Sequence, residues 1–77
     1  NDELIQEVEA EIARMPEQTR EIIQGVFFHG MKYQEVADQL GVSINTVKTL
    51  LKNGMRYLRE RFAGRVDLFL VIALIKF

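Results

Sequence analysis

Cysteine is absent from this 77-residue chain, and histidine occurs once. The chain therefore cannot form a disulfide, present a thiolate nucleophile or build a zinc finger, and the absence of cysteine fits a reducing compartment such as the cytoplasm. His29 stands between Phe28 and Gly30, apart from any acidic cluster, which is typical of a helix end and not of a metal site. We expect no metal, no cofactor and no enzymatic activity.

Proline is also scarce, with one in the chain, and 48% of the residues are apolar against 27% charged. This balance indicates a globular, largely helical chain, because disordered segments have lower hydrophobicity. The length allows one domain at most. Since no signal peptide is visible and Asn1 stands where an initiator methionine would, we expect the chain to be a piece of a longer protein.

The two halves of the chain have opposite charge, although the net charge is only -1. Residues 1–40 carry nine acidic and three basic side chains, a net of -6, whereas residues 41–77 carry seven basic and two acidic ones, a net of +5. Phosphate binding needs a basic surface. We therefore expect the second half to meet nucleic acid, and the acidic first half to face away from it.

Apolar residues at three- and four-residue intervals predict amphipathic helices along residues 1–65. In the first helix Val8 points inward, and we expect Glu11 and its neighbouring glutamates on an acidic solvent face. The second helix begins near Pro16, which is acceptable in a first helical turn, and stops at Gly30. With two further helices, the predicted fold class is all-α, a compact four-helix domain.

Residues 33–52 have the sequence pattern of a helix-turn-helix, a common DNA-reading motif. A short helix over residues 33–40 ends at Gly41, where a glycine tolerates the left-handed backbone of a tight turn. The hydroxyl of Ser43 can cap the next helix by accepting a hydrogen bond from the backbone near Thr46. We expect residues 1–65 to form one DNA-binding domain around this motif.

The fourth predicted helix continues to about Phe62 and has two different faces. At 100° per residue, its apolar residues share one side. The roughly opposite side carries polar and basic residues, namely Asn45, Lys48, Thr49, Lys52, Arg56 and Arg59. A basic stripe alone is weak support, because lysine and arginine commonly solvate a helix; the turn in front of this helix favours nucleic-acid binding.

Four short blocks connect the motif to a known family: MPEQTRE at 15–21, FHGMKYQEVA at 28–37, LGVS at 40–43 and TVK at 46–48. In this order and spacing they resemble region 4 of bacterial sigma factors, most closely the extracytoplasmic-function group. The resemblance covers residues 14–62. It implies a C-terminal promoter-binding domain that recognises the minus-35 element in double-stranded DNA and helps to direct transcription initiation. It also implies two protein partners, the RNA polymerase core and an anti-sigma factor.

The resemblance also implies which residues bind DNA. Asn45 and Thr49 are expected at base edges, and backbone N–H groups of the first turn of the motif are expected to hold a phosphate. Together with Arg56, which the helix face adds, the predicted site residues are Tyr33, Gln34, Ser43, Asn45, Thr46, Lys48, Thr49, Lys52 and Arg56.

The chain departs from the family pattern at three positions. Leu50 and Asn53 stand where relatives often have basic residues, and Lys32 stands where a small hydroxyl residue is common. An arginine can bind guanine in a bidentate way, so its absence predicts a weaker or shifted sequence preference.

Two alternatives to the sigma-factor interpretation remain open from the residues. A response-regulator output domain also ends in a helix-turn-helix with a Thr-Val-Lys beginning, although the block at 15–20 and the Leu58-Arg59-Glu60 ending favour the sigma factor. The other alternative is a protein-interaction module that keeps the fold without reading DNA.

The C-terminal tail, residues 66–77, is nearly all apolar. It is shorter than the roughly 20 residues that a transmembrane helix needs, so we expect no membrane span. It is either a closing helix over the bundle or an exposed segment that recruits a partner or mediates self-association.

Overall fold

The computed structural model describes residues 2–62, and this part of the chain is built of four α-helices and one π-helical turn. In chain order they are α1 (Asp2–Ala13), α2 (Glu17–Ile23), the π turn (Gln24–Phe28), α3 (Tyr33–Leu40) and α4 (Ile44–Arg61). The described residues contain no strand. The prediction of an all-α, four-helix fold is confirmed. The tail at 66–77 and the predicted boundary at residue 65 lie outside the described residues.

The hydrophobic core is centred on α4. Both α2 and α3 pack against α4, and α1 packs against α2. The apolar face predicted for α4 is buried at each position from Val47 to Phe62, whereas Ile44 is half-buried. The buried apolar residues of the core are Val8, Ile12, Met15, Ile22, Ile23, Val36, Ala37, Val47, Leu51, Met55, Leu58 and Phe62.

Gly54 allows α2 to approach α4 closely. A Cβ atom at this position would lie 2.9 Å from Ile23 Cδ1 and 3.0 Å from Thr19 Cγ2, closer than side chains normally approach. A glycine in a helix interior costs about 1 kcal/mol of helix stability relative to alanine. Its presence in α4 is therefore explained by packing against α2, a role that the sequence pattern did not indicate.

The turn between α3 and α4 depends on a glycine with left-handed backbone. Gly41 has φ 69°, which ends α3. The N–H of Val42 donates to the carbonyl of Ala37 at 3.0 Å, and the N–H of Gly41 donates to that of Asp38 at 3.4 Å. This pair of hydrogen bonds is a Schellman motif, which satisfies carbonyl groups left open at the helix end. The turn that the sequence predicted at Gly41 is therefore present, and it closes α3 with a left-handed glycine.

The second predicted helix is not α-helical throughout. Its α-helical part ends at Ile23, and the π turn comes next, with the His29 N–H donating to the Gln24 carbonyl at 3.0 Å. Gly25 lies within the π turn, where an added Cβ would meet Val36 Cγ2 at 3.2 Å. Gly30 has φ 65° and stands just beyond the turn, consistent with its predicted role as a helix stop.

Glu11 does not lie on the acidic solvent face that was predicted for α1. The residue is only 8% exposed, and the Tyr57 hydroxyl donates to its Oε1 at 2.8 Å. The guanidinium groups of Arg61 and Arg14 approach its Oε2 at 3.6 Å and 3.7 Å. The prediction was wrong for this residue because its carboxylate links α1 to the second half of α4. Glu3, Glu7 and Glu9 of α1 are exposed.

Replacing Gly41 should test the left-handed turn. We expect Gly41→Ala to lower the free energy of unfolding by about 1 kcal/mol, because an L-residue with a Cβ atom is disfavoured at positive φ. Gly41→Asn should lose less, since asparagine adopts this conformation more readily. Urea denaturation followed by circular dichroism measures both. Equal stability of wild type and Gly41→Ala would show that the turn does not require this φ.

The hydrogen bond and the charge of Glu11 raise the pKa of Tyr57 above its usual value near 10. Because the pKa is higher in the folded chain than in the unfolded chain, this contribution to stability is complete below about pH 10. It is lost as the pH rises through the folded-state pKa.

A Tyr33→Phe background leaves Tyr57 as the remaining tyrosine of a chain that has two. Ultraviolet absorbance of the phenolate should then show titration above the ordinary range. We expect Glu11→Gln in this background to lower the pKa of Tyr57, because the charge that opposes phenolate formation is removed. An unchanged titration curve in Glu11→Gln would contradict the pairing.

Candidate nucleic-acid interface

The N-terminus of α4 is capped by the residue that the sequence predicted. Ser43 Oγ accepts a hydrogen bond from the Thr46 N–H at 3.1 Å, and it lies 3.0 Å from Thr46 Oγ1 in a second hydrogen bond. A side-chain oxygen at this position satisfies a backbone donor that has no partner within the helix. Two predicted site residues therefore also hold the start of α4 in place.

All of the predicted site residues are exposed except Thr46, which is half-buried. In the first two turns of α4, Asn45, Lys48 and Thr49 are exposed to solvent. In a helix-turn-helix these first turns of the second helix contact base edges in the major groove. The surface that this mode of binding requires is therefore open within residues 2–62.

Three predicted site residues meet in one open cleft, here called the cationic cleft. Tyr33 at the start of α3 lies there together with Lys48 and Lys52 of α4. The cleft is lined by Phe27, Tyr33, Lys48, Leu51, Lys52, Met55 and Arg59. Its cations are exposed, whereas Leu51 and Met55 are buried parts of the core.

Besides the core residues Leu51 and Met55, the cationic cleft includes two further residues that were not among the predicted site residues, Phe27 and Arg59. Arg59 lies two helical turns after Lys52, and the spacing of basic residues on α4 is the signal that could have added it. Phe27 comes from the π turn. No spacing in the sequence indicates its place beside α4, because that place depends on how the turn packs.

Three other predicted residues meet on a neighbouring concave surface, here called the neutral patch. Asn45, Thr46 and Thr49 line it together with Leu50. None of these four side chains is charged. Leu50, which was noted in the sequence only as a departure from the family pattern, is half-buried against the core and forms part of this surface.

Three predicted residues line neither concavity, namely Gln34, Arg56 and the helix cap Ser43. The Arg56 guanidinium donates to Asn53 Oδ1 at 2.7 Å, one turn earlier on α4. Gln34 Nε2 donates to Asp38 Oδ1 at 2.8 Å along α3. Both side chains are exposed, so each can exchange this hydrogen bond for another partner at low cost.

The N-terminus of α3 has an unusual cap. The Lys32 N–H donates to Glu35 Oε1 at 2.8 Å, which is one half of a capping box. The other half needs a side-chain acceptor at the cap, and lysine has none. The Glu35 carboxylate therefore shares this helix end with the backbone N–H groups of Tyr33 and Gln34, whose binding to a phosphate stays a prediction.

Residues 2–62 offer few features of other functional classes. No group of three histidine, aspartate or glutamate side chains within them is placed to hold a metal ion. No helix in this part of the chain is both long and apolar enough to cross a membrane. His29 is exposed at the end of the π turn.

Comparison with known proteins gives a family match that includes the whole helix-turn-helix. The model of the family described as sigma-70, region 4, matches residues 5–58, more than half of the chain. The ECF RNA polymerase sigma factor SigK of Mycolicibacterium vanbaalenii is 39% identical over 41 residues, which cover 53% of the chain and 21% of that relative. The chain thus spans about a fifth of the relative's length. No solved structure matches the chain.

Substitutions of Ser43 should test its role as the cap of α4. We expect Ser43→Ala to lower the free energy of unfolding by about 1 kcal/mol, since the Thr46 N–H loses its acceptor. Ser43→Asp should retain stability, because aspartate is an equally good cap and its charge suits a helix N-terminus. Urea denaturation of the three proteins gives the comparison. A Ser43→Asp variant less stable than Ser43→Ala would contradict this account of the cap.

Proposed function

Because the chain belongs to the sigma-70 region 4 family, we propose that it recognises the minus-35 promoter element and helps RNA polymerase to initiate transcription there. In this proposal residues 1–65 form the DNA-binding domain, and residues 33–52 are its helix-turn-helix. The protein works in the cytoplasm, where the polymerase is. Its action is binding, and it requires no cofactor.

The main support for the proposal is the surface formed by the first turns of α4. The cationic cleft brings Lys48 and Lys52 beside Tyr33, and the neutral patch is formed by the first two turns of the same helix, α4. DNA-binding proteins use cations for the phosphates and short polar side chains for the bases. Both kinds of group are exposed here, and they are supported from behind by the buried face of α4.

The proposed contacts divide between phosphates and bases. Lys48, Lys52 and Arg56 bind phosphates, while Asn45 and Thr49 contact base edges. Arg56 exchanges its hydrogen bond with Asn53 for a phosphate oxygen, which is a stronger acceptor because it is charged. The remaining predicted residues lie at the starts of α3 and α4, namely Tyr33, Gln34, Ser43 and Thr46.

With so few cationic contacts, the isolated chain should bind DNA weakly. A dissociation constant of about 10⁻⁴ to 10⁻⁶ M, as in non-specific binding at physiological salt, is expected. Useful occupancy then comes from attachment to the RNA polymerase core, which makes promoter binding an intramolecular step. The exposed glutamates of α1 would be repelled by DNA, so they face the polymerase or an anti-sigma factor.

Two alternatives to a sigma factor were open from the sequence, a response-regulator output domain and a protein-interaction module. The response-regulator interpretation is disfavoured by the family match, which names sigma-70 region 4. A pure interaction module, with binding through the tail at 66–77, predicts no loss of function when the lysines of α4 change. A measurement of DNA binding therefore separates it from the proposal.

The test compares Lys52→Gln with Arg14→Gln, since each removes one positive charge. Arg14 is exposed just after α1 and lines a different surface, beside Thr19 and Tyr57. Fluorescence anisotropy with a labelled duplex of about 20 base pairs, or about two helical turns, would give affinity at several salt concentrations. We expect Lys52→Gln to weaken binding and to reduce the salt slope by about 1, because one phosphate contact is lost.

Arg14→Gln should leave both the affinity and the salt slope unchanged. Equal losses of DNA affinity in Lys52→Gln and Arg14→Gln would show that binding depends on net charge and not on the cationic cleft. In the complete sigma factor bound to polymerase, Lys48→Glu combined with Lys52→Glu should abolish promoter occupancy while circular dichroism shows an intact fold. Full occupancy by that double variant would favour the interaction module.

A further inference from the structure

We infer that the neutral patch reads the methyl group of thymine, with Leu50 as its apolar contact, so that the chain prefers A·T pairs over G·C pairs beneath α4. This inference rests on the proposed function, because it concerns the part of the same surface that would face the bases. It specifies which feature of the DNA that surface recognises.

The composition of the neutral patch supports this preference. Its lining residues are Asn45, Thr46, Thr49 and Leu50, and no lysine or arginine is among them. Reading guanine in the major groove most often uses arginine or lysine on the O6 and N7 acceptors. Asparagine instead pairs with adenine through N6 and N7, and apolar groups contact the thymine methyl. This set of side chains is therefore suited to contact adenine and thymine and not guanine.

The position of Leu50 is the second observation. Leu50 lies one helical turn after Thr46, and the two residues share the patch. The Thr46 hydroxyl is engaged with Ser43 Oγ in the cap of α4, so the apolar part of the threonine remains available to a base. Leu50 is half-buried, held against the core on one side and part of the open concavity on the other.

The cations of α4 lie outside this patch. Lys48 and Lys52 line the cationic cleft with Tyr33, and Arg56 is hydrogen-bonded to Asn53. Their charges can therefore bind phosphates without entering the base-contacting surface. This separation makes methyl recognition measurable, because changing a base methyl leaves every phosphate contact in place.

The experiment uses the full chain and two pairs of short duplexes that differ only in major-groove methyl groups. The first pair is alternating d(AT) against alternating d(AU), in which uracil lacks the thymine methyl. The second pair is alternating d(GC) against the same duplex with 5-methylcytosine, which adds a methyl at the equivalent groove position. We expect wild type to bind each methylated duplex about fourfold more tightly, the gain for burying one methyl-sized apolar group.

Variants at Leu50 assign the effect to this side chain. Leu50→Ala should bind d(AT) and d(AU) with nearly equal affinity, whereas Leu50→Met should keep the preference and the fold. Leu4→Ala is the matched control, because it truncates another partly buried leucine, on α1. It should keep the wild-type preference. If Leu50→Ala is unfolded by circular dichroism, Leu50→Gln replaces it as the variant that removes the apolar contact.

Each result has a defined meaning. Equal binding of wild type to d(AT) and d(AU), with strong salt dependence for both, overturns methyl reading and leaves the proposed DNA binding intact. A preference for d(AT) without one for the 5-methylcytosine duplex also overturns it, because duplex shape would then be the cause. Absence of salt-dependent binding to all four duplexes overturns the proposed function itself.

Discussion

The arrangement of this domain depends on burying one side of α4. Val47 and Leu58, three turns apart on that side, are fully buried, and α2 and α3 both pack onto it. A helix fixed along one side cannot rotate, so the residues that face solvent are also determined. Gly54 tightens this constraint, because it allows α2 to approach closer than a side chain would permit. The direction in which Lys48 and its neighbours point is therefore a consequence of core packing.

Charge segregation accounts for a DNA-binding surface on a chain with net charge -1. The acidic residues are concentrated in the first half, and α1 exposes several of them on a different helix from the cationic cleft. Glu11 is the exception, since its carboxylate is enclosed by Tyr57, Arg61 and Arg14. The Glu11 carboxylate holds Arg14 and Arg61 near α1, so the side chain of Arg61 at the end of α4 packs against α1.

Much of the fold could be predicted from the periodicity of apolar residues, because burial of one helix side imposes a three- and four-residue spacing. The roles of Gly41 in the turn and of Ser43 as a helix cap could also be predicted, because turn geometry and capping restrict which residues can occupy these positions. The burial of Glu11 was missed because its partner Tyr57 is 46 residues away in sequence. The meeting of Phe27 with α4 depends likewise on tertiary packing. The predicted DNA contacts themselves are surface residues, whose roles periodicity alone cannot distinguish from solvation.

The π turn has a consequence for how this sequence can vary. A π-helical turn holds one more residue than an α-helical turn, and here Gly25 must fit closely against Val36 of α3. Deleting one residue from Gln24–Phe28 would allow the segment to close as an α-helix with little change in the direction of the chain that follows, because the wider π turn takes up the extra residue. Gly25 is the stricter requirement, since a Cβ atom there would meet Val36 Cγ2 at 3.2 Å. At this place the identity of one residue is therefore more tightly constrained than the number of residues.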